Sequence, residues 1–136
     1  MSNIEQTLSI IKPDAVERNL DNQIKALFQN KGFKIIKQKK IKLEKSDAEK
    51  FYKVHETKPF YNDLCEYLSS GPIVVMILEK QNAVLGNREL MGATNPQEAS
   101  EGTIRKKYGI SIDKNSVHGS DSVENAKIEI DFFFKD

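Results

Sequence analysis

The polar and apolar positions of the chain change period several times, and each change marks an element. Gln6 to Ile11 is short and β-branched, and Lys12-Pro13-Asp14 stops it, which predicts a strand entering a tight turn. Leu20, Ile24, Leu27 and Phe28 recur at helical spacing, and Gly32 closes that helix. Phe33 to Leu43 reads as the next strand, with lysines scattered through it. Ser46-Asp47-Ala48-Glu49 has the form of a capping box. Behind it Ala48, Phe51, Tyr52 and His55 share one helical face, until Lys58-Pro59-Phe60 breaks the helix. Leu64, Tyr67 and Leu68 mark a further helix, ended by Ser70-Gly71-Pro72. Ile73 to Leu78 is apolar without interruption, which predicts a strand at the centre of a sheet. Asn82 to Met91 reads as a helix ended by Gly92, and Thr94 to Lys107 as an irregular segment with short helical pieces. Ser116 to His118 predicts a short strand. Val123, Ala126 and Ile130 give a final helix, capped by Asp121 or Ser122, and Phe132-Phe133-Phe134 form an apolar tail.

The order is strand, helix, strand, helices, strand, helix, strand, helix. Two β-α-β halves predict an α+β fold, a ferredoxin-like βαββαβ sandwich. Its sheet has four antiparallel strands, with helices over one face. No repeat, linker or low-complexity segment interrupts the 136 residues, so residues 1–136 are expected to form one domain.

Composition narrows the function. Lysine and arginine number 21 against 20 acidic residues, so nothing global points to nucleic acid or membrane. Charged residues at 30% and apolar ones at 38% suit a soluble folded chain rather than a disordered one. The longest apolar run, Ile73 to Leu78, is too short to span a bilayer. Cys65 is the single cysteine, which excludes an internal disulfide and fits a reducing cytoplasm. It reads as a bland, partly buried thiol. Met1 to Gln6 lacks a basic region followed by an apolar core, so no secretory leader is expected.

One histidine keeps unusual company, in Asn115-Ser116-Val117-His118-Gly119-Ser120-Asp121-Ser122. An imidazole at such a junction can act as nucleophile, base or ligand, and a helix start beside it favours an anion there. Alone it can equally be a turn histidine. Three cations offer a phosphate clamp: Lys12 at the end of the first strand, and Arg88 and Arg105 on either side of a Gly- and Thr-rich segment. Each alone can also be a solvated surface charge. Thr94 and Thr103 can add hydroxyl donors, and Thr94 can also cap a helix. Phe60, at a helix break, can stack on a flat base or anchor the core. Tyr52 shares a face with His55 and can bond a catalytic group or cap the core; His55 reads as structural or supporting. Glu129 lies two turns down the final helix and can reach back to orient the imidazole. Asp121 can serve the helix terminus or a metal-bound water. Seven lysines between Lys31 and Lys45 fit a solvated edge strand better than a nucleic-acid stripe. No His, Cys, Asp and Glu cluster has metal-site spacing, so a protein cage is not expected and magnesium carried by phosphates fits better. A P-loop and a protein-kinase Gly-rich loop are both lacking.

Taken together these residues resemble the nucleoside diphosphate kinase family over essentially the whole chain. The resemblance rests on Ile11-Lys12-Pro13-Asp14-Ala15, Tyr52-x-x-His55-x-x-Lys58-Pro59-Phe60 and Ser70-Gly71-Pro72. It continues through Asn87-Arg88, Met91-Gly92-Ala93-Thr94-Asn95-Pro96, Gly102-Thr103-Ile104-Arg105 and Asn115-x-x-His118-Gly119-Ser120-Asp121-Ser122. It implies that His118 is the nucleophile, phosphorylated on Nδ1. It implies that Lys12, Arg88, Arg105 and Thr94 hold phosphates, that Phe60 stacks on the base, and that Asn115 and Lys12 contact the ribose 3′ region. Ser120 and Glu129 orient the histidine by the same resemblance, and Tyr52 supports the site. The implied reaction is ping-pong transfer from a nucleoside triphosphate such as ATP or GTP to a diphosphate, with Mg²⁺. It maintains triphosphate pools in the cytoplasm. The implied assembly is a tetramer or hexamer built from dimers, with neither membrane nor nucleic acid as an expected partner.

The chain departs from the family pattern in three places. Glu101 stands where the family usually has proline, Phe132 or Phe133 stands where relatives often have tryptophan, and the tail ends at Asp136, as in bacterial-type members. A non-catalytic nucleotide- or nucleic-acid-binding module on the same fold is the alternative, since folds host many functions. A phosphorelay carrier would need neither Phe60 nor Asn115.

Overall fold

The protein is described from a computed structural model, which covers residues 4–112 and 114–134. Part of the stretch read for a leader, Met1 to Asn3, and the end at Asp136 lie outside the described residues. The sheet consists of β1 (Ile4–Ile11), β2 (Lys34–Ile41), β3 (Ile73–Gln81) and β4 (Val117–Gly119). Its order is β2-β3-β1-β4, and every pairing is antiparallel. The helices are α1 (Pro13–Glu17), α2 (Asp21–Asn30), α3 (Lys45–Phe51), α4 (Tyr61–Leu68), α5 (Ala83–Met91), α6 (Ile104–Tyr108) and α7 (Val123–Phe133), with short 3₁₀ turns at Lys53–His55 and Pro96–Glu98. This is the ferredoxin-like α+β fold. Among the described residues no helix is long and apolar enough to cross a membrane.

Helices cover both faces of the sheet, not one. Side chains alternate across a strand, so the unbroken run from Ile73 to Leu78 must be buried twice. Val74, Met76 and Leu78 join Ile11, Ile24, Phe28, Leu90 and Met91 on one side. Ile73 and Val75 join Leu8, Ile10, Leu43, Ala48, Tyr52, Cys65, Leu68 and Phe133 on the other. Cys65 is fully buried, deeper than expected.

Several ends fall where local chemistry puts them. Gly32, at φ +90, lets the Phe33 amide return to the Phe28 carbonyl at 3.0 Å and closes α2. The capping box of α3 lies two residues earlier than Ser46. The Asp47 carboxylate accepts the Glu44 N–H at 3.3 Å, which makes Glu44 the cap. Leu43 and Ala48 are both buried on either side of that cap, as a hydrophobic staple requires, and this selects the register. The helix then ends at Phe51, before His55. The His55 amide bonds the Tyr52 carbonyl at 2.7 Å, and the chain tightens into a 3₁₀ turn ahead of Lys58-Pro59. Helix α7 takes Ser122 as its cap, through the Asn125 amide at 3.1 Å, while Asp121 accepts from the Asn125 side chain at 2.6 Å.

The lysine-rich strand β2 is an edge of the sheet. It carries an irregularity in register between Ile35 and Lys37, and Lys34, Lys37, Lys39 and Lys40 are exposed. Charge and irregularity both discourage uncontrolled pairing along an open edge.

Candidate active site

The site begins with the shortest strand. β4 pairs with the end of β1, setting His118 opposite Ile10 and Val117 opposite Ile11. The next residue, Lys12, donates its backbone N–H to the Ser116 carbonyl at 2.8 Å. One ladder therefore brings the imidazole and the lysine, 106 positions apart in the numbering, to the same end of the sheet.

His118 is half-buried and held from two sides. Its Nε2 lies 3.2 Å from Glu129 Oε1, which arrives from α7 as its helical spacing predicts. The Ser120 hydroxyl donates to the same oxygen at 2.8 Å. Ser120 is fully buried, and its amide and hydroxyl both bond the backbone of Leu8. A carboxylate beside Nε2 favours the tautomer with the proton on that nitrogen, which frees the Nδ1 lone pair. Phe51 meets the imidazole edge-on at 5.4 Å and Tyr52 at 6.5 Å. Burial above all holds the Tyr52 phenol far above its ordinary pKa, with Cys65 and Glu129 adding to the effect. Tyr52 is a neutral wall rather than a base.

Lys12 is buried, and its Nζ donates to Asn115 Oδ1 at 3.0 Å. The Asn115 amide donates in turn to the Thr94 carbonyl at 3.1 Å. Thr94 thus fixes Asn115 through its backbone and keeps its side chain exposed. It caps no helix: Asn95 accepts the Gln97 N–H at 3.0 Å, because it stands directly before Pro96 at the first position of the turn. Thr103 is a cap as well. Its hydroxyl accepts the Lys106 N–H at 3.3 Å and starts α6, the helix that carries Arg105.

Arg105 donates to the Gly92 carbonyl at 3.0 Å and to the Val117 carbonyl at 2.9 Å, while its buried Nε has no hydrogen-bond partner among the described residues. Burial first, and the Arg88 cation second, lower its pKa to about 10. It stays charged at neutral pH, and among the described residues carbonyl dipoles answer its charge. A phosphate oxygen is the partner this environment favours. Arg88 itself is exposed in the last turn of α5.

Phe60 is 47% exposed, which makes it a surface ring and not a core anchor. A chain of rings connects it to the imidazole. Phe60 lies 6.2 Å from His55, His55 lies 6.2 Å from Tyr52, and Tyr52 touches His118. The structure thus joins His118, Glu129, Ser120 and Tyr52 in one contact network and Lys12, Asn115 and Thr94 in another. Arg105 reaches β4 directly, and Arg88 is close enough to perturb it. The supporting residues Phe51, Asp14 and Ser116 had no chemical signal of their own in the sequence. Phe51 reads as part of a helical face, and Asp14 as part of a turn and of the first family motif, without a role of its own.

The nucleoside diphosphate kinase family model matches residues 5–136. The chain belongs to the nucleoside diphosphate kinase family. Members of this family are enzymes that transfer phosphoryl groups between nucleotides. The chain is 58% identical over 131 residues to the nucleoside diphosphate kinase of Persephonella marina, covering 96% of this chain and 94% of that one. It is 59% identical over 131 residues to that of Campylobacter lari, covering 96% of each. The crystal structure of the Aquifex aeolicus nucleoside diphosphate kinase superposes with a TM-score of 0.95 at 40% identity, over 96% of this chain and 95% of that chain.

Proposed function

We propose that this member of the family works by ping-pong transfer through a phosphohistidine on His118. The observation that carries the reading is the Glu129 carboxylate on Nε2, which leaves Nδ1 as the nucleophile. The Nδ1 lone pair attacks the γ-phosphorus of a nucleoside triphosphate. The bond to the bridging oxygen breaks, and the diphosphate leaves with the electron pair. Glu129 holds the Nε2 proton and offsets the positive charge that the ring acquires. A terminal oxygen of a second diphosphate then attacks the phosphohistidine and restores His118.

Arg105, Arg88 and Lys12 hold the phosphates, with Thr94 at the mouth of the site. Asn115 and Lys12 face the ribose 3′ region, and Phe60 stacks on the base. Stacking reads no base edge, so ATP, GTP and other triphosphates and their diphosphates all fit this arrangement. Among the described residues no group of three or more His, Cys, Asp and Glu side chains comes together. The cations at the site instead suit phosphates that bring Mg²⁺ with them, held mainly through phosphate oxygens and water. Mg²⁺ supplies neutralisation of phosphate charge when bound.

The same reading takes residues 1–136 as one kinase domain, at work in the cytoplasm as a homo-oligomer, a tetramer or hexamer of dimers. The reduced, buried Cys65 fits that compartment.

Intact-mass analysis after mixing with ATP and Mg²⁺ tests the central step. Gain of one acid-labile phosphoryl group, discharged by an added nucleoside diphosphate and absent in His118→Gly, is expected. Charging of His118→Gly to the same extent overturns the assignment.

A further inference from the structure

A buried carboxylate lies behind the phosphate side of the site, and no step above uses it. Asp14, in α1, has only 3% of its side chain exposed. One carboxylate oxygen accepts the Tyr67 hydroxyl from α4. The other accepts Arg18 at 3.0 Å and the Ser116 hydroxyl at 3.0 Å. The Asp14 amide also donates to the Tyr67 oxygen at 2.9 Å, so the ring is gripped twice. Burial, and then the bond to Asp14, push the Tyr67 phenol well above its ordinary range, which keeps it a donor.

Two routes lead from this carboxylate to phosphate-binding side chains. The first runs through Ser116. That residue is fully buried and left-handed at φ +75, a conformation a serine holds only when its surroundings impose it. Its carbonyl accepts the Lys12 amide at 2.8 Å, and its chain neighbour Asn115 accepts Lys12 Nζ at 3.0 Å. The second route runs through Arg18, whose guanidinium also donates to the Tyr108 carbonyl at 2.6 Å and to the Ser116 hydroxyl at 3.3 Å. Tyr108 ends α6, the helix that carries Arg105. Lys12 comes from the start of the chain and Arg105 and Asn115 from near its end, and Asp14 is where their supports meet.

We propose that Asp14 is a positioning residue for phosphoryl transfer: its carboxylate, through the Ser116 hydroxyl and Arg18, holds Lys12, Asn115 and Arg105 in the geometry that transfer needs. The inference rests on the reading that His118 receives the phosphoryl group. An amide at position 14 keeps the size but not the charge or the full acceptor capacity, so it cannot satisfy the same three donors. Misplacing phosphate-holding groups by a fraction of an ångström costs rate before it costs binding.

The test is single-turnover charging of the protein by ATP and Mg²⁺ in quenched flow, at saturating nucleotide. ADP affinity and melting temperature are measured alongside. Asp14→Asn is expected to slow charging of the folded protein about ten- to hundredfold while ADP affinity changes less than about threefold. Ser116→Ala and Ser116→Gly are expected to slow it in the same direction. Glycine relieves the left-handed backbone but lacks the hydroxyl, so a wild-type rate in Ser116→Gly overturns the hydroxyl route. Wild-type charging rates in folded Asp14→Asn, with only a lower melting temperature, make Asp14 a stability residue and overturn the proposal. Should Asp14→Asn not fold, the two Ser116 variants decide it. Failure of the unaltered protein to charge on His118 overturns the phosphohistidine reading instead.

Discussion

The two ends of the site are built differently. At the imidazole end, Ser120 and Asn115 are at most 2% exposed, Lys12 is 6% exposed, and each has a hydrogen-bonded partner. Glu129 meets Nε2 of His118, and the Ser120 hydroxyl holds the same carboxylate oxygen. At the outer end, Phe60, Arg88 and Thr94 project from a helix break, a last helical turn and a loop, and all three are exposed. The bond that breaks is the same for every nucleotide, whereas base and sugar vary. Preorganisation belongs where charge moves, and a loose platform suffices where identity is not read.

The sharpest break of that comparison is His118→Gly. Turnover is expected to fall by at least about 10⁴-fold, as when a sole nucleophile is removed, while nucleotide binding persists. Rate assays paired with equilibrium binding check both halves. Next comes Arg105→Ala. Losing one buried donor aimed at developing charge should lower kcat about 10²- to 10³-fold with little change in KM, as steady-state kinetics would show. A change confined to KM would move Arg105 to the loose end. Glu129→Ala removes a charge-assisted bond of about 1.5–3 kcal/mol, so kcat should fall about ten- to hundredfold. Charging followed by mass should slow in step. The smallest effect belongs to Phe60→Ala. Loss of an exposed stacking ring costs about 1 kcal/mol, hence a roughly fivefold rise in KM with kcat kept. A fall in kcat instead would mean that the ring path through His55 and Tyr52 braces His118, and the two ends would not be separate.

The rigid end was also the more legible in the sequence. The dense motif around His118 and the helical spacing of Glu129 both survive intact in the structure, because strand pairing and helix pitch are periodic. The capping box of α3 was misplaced by two residues, since the burial of Leu43 and Ala48, invisible in a local pattern, chose between two chemically reasonable caps. Helices were expected on one face only, although the unbroken run from Ile73 to Leu78 already required cover on both. Phe60 could not be assigned to core or surface until its exposure was known, because an aromatic at a break suits either. Asp14 reads in the sequence as part of a turn and a motif but carries no role there: its partners Tyr67 and Ser116 lie 53 and 102 residues away, and no local spacing encodes them.

The sequence by itself determined the family, the order of the elements and the residue types available for phosphoryl transfer. Those follow from motif content and from the periods of helix and strand, which are local. Only the tertiary structure decided which nitrogen of His118 is held, which cations share a neighbourhood, and which buried carboxylate ties their supports together. Those depend on long-range pairing of β1 with β4 and on the docking of α6 and α7, where packing and burial, not spacing, set the geometry.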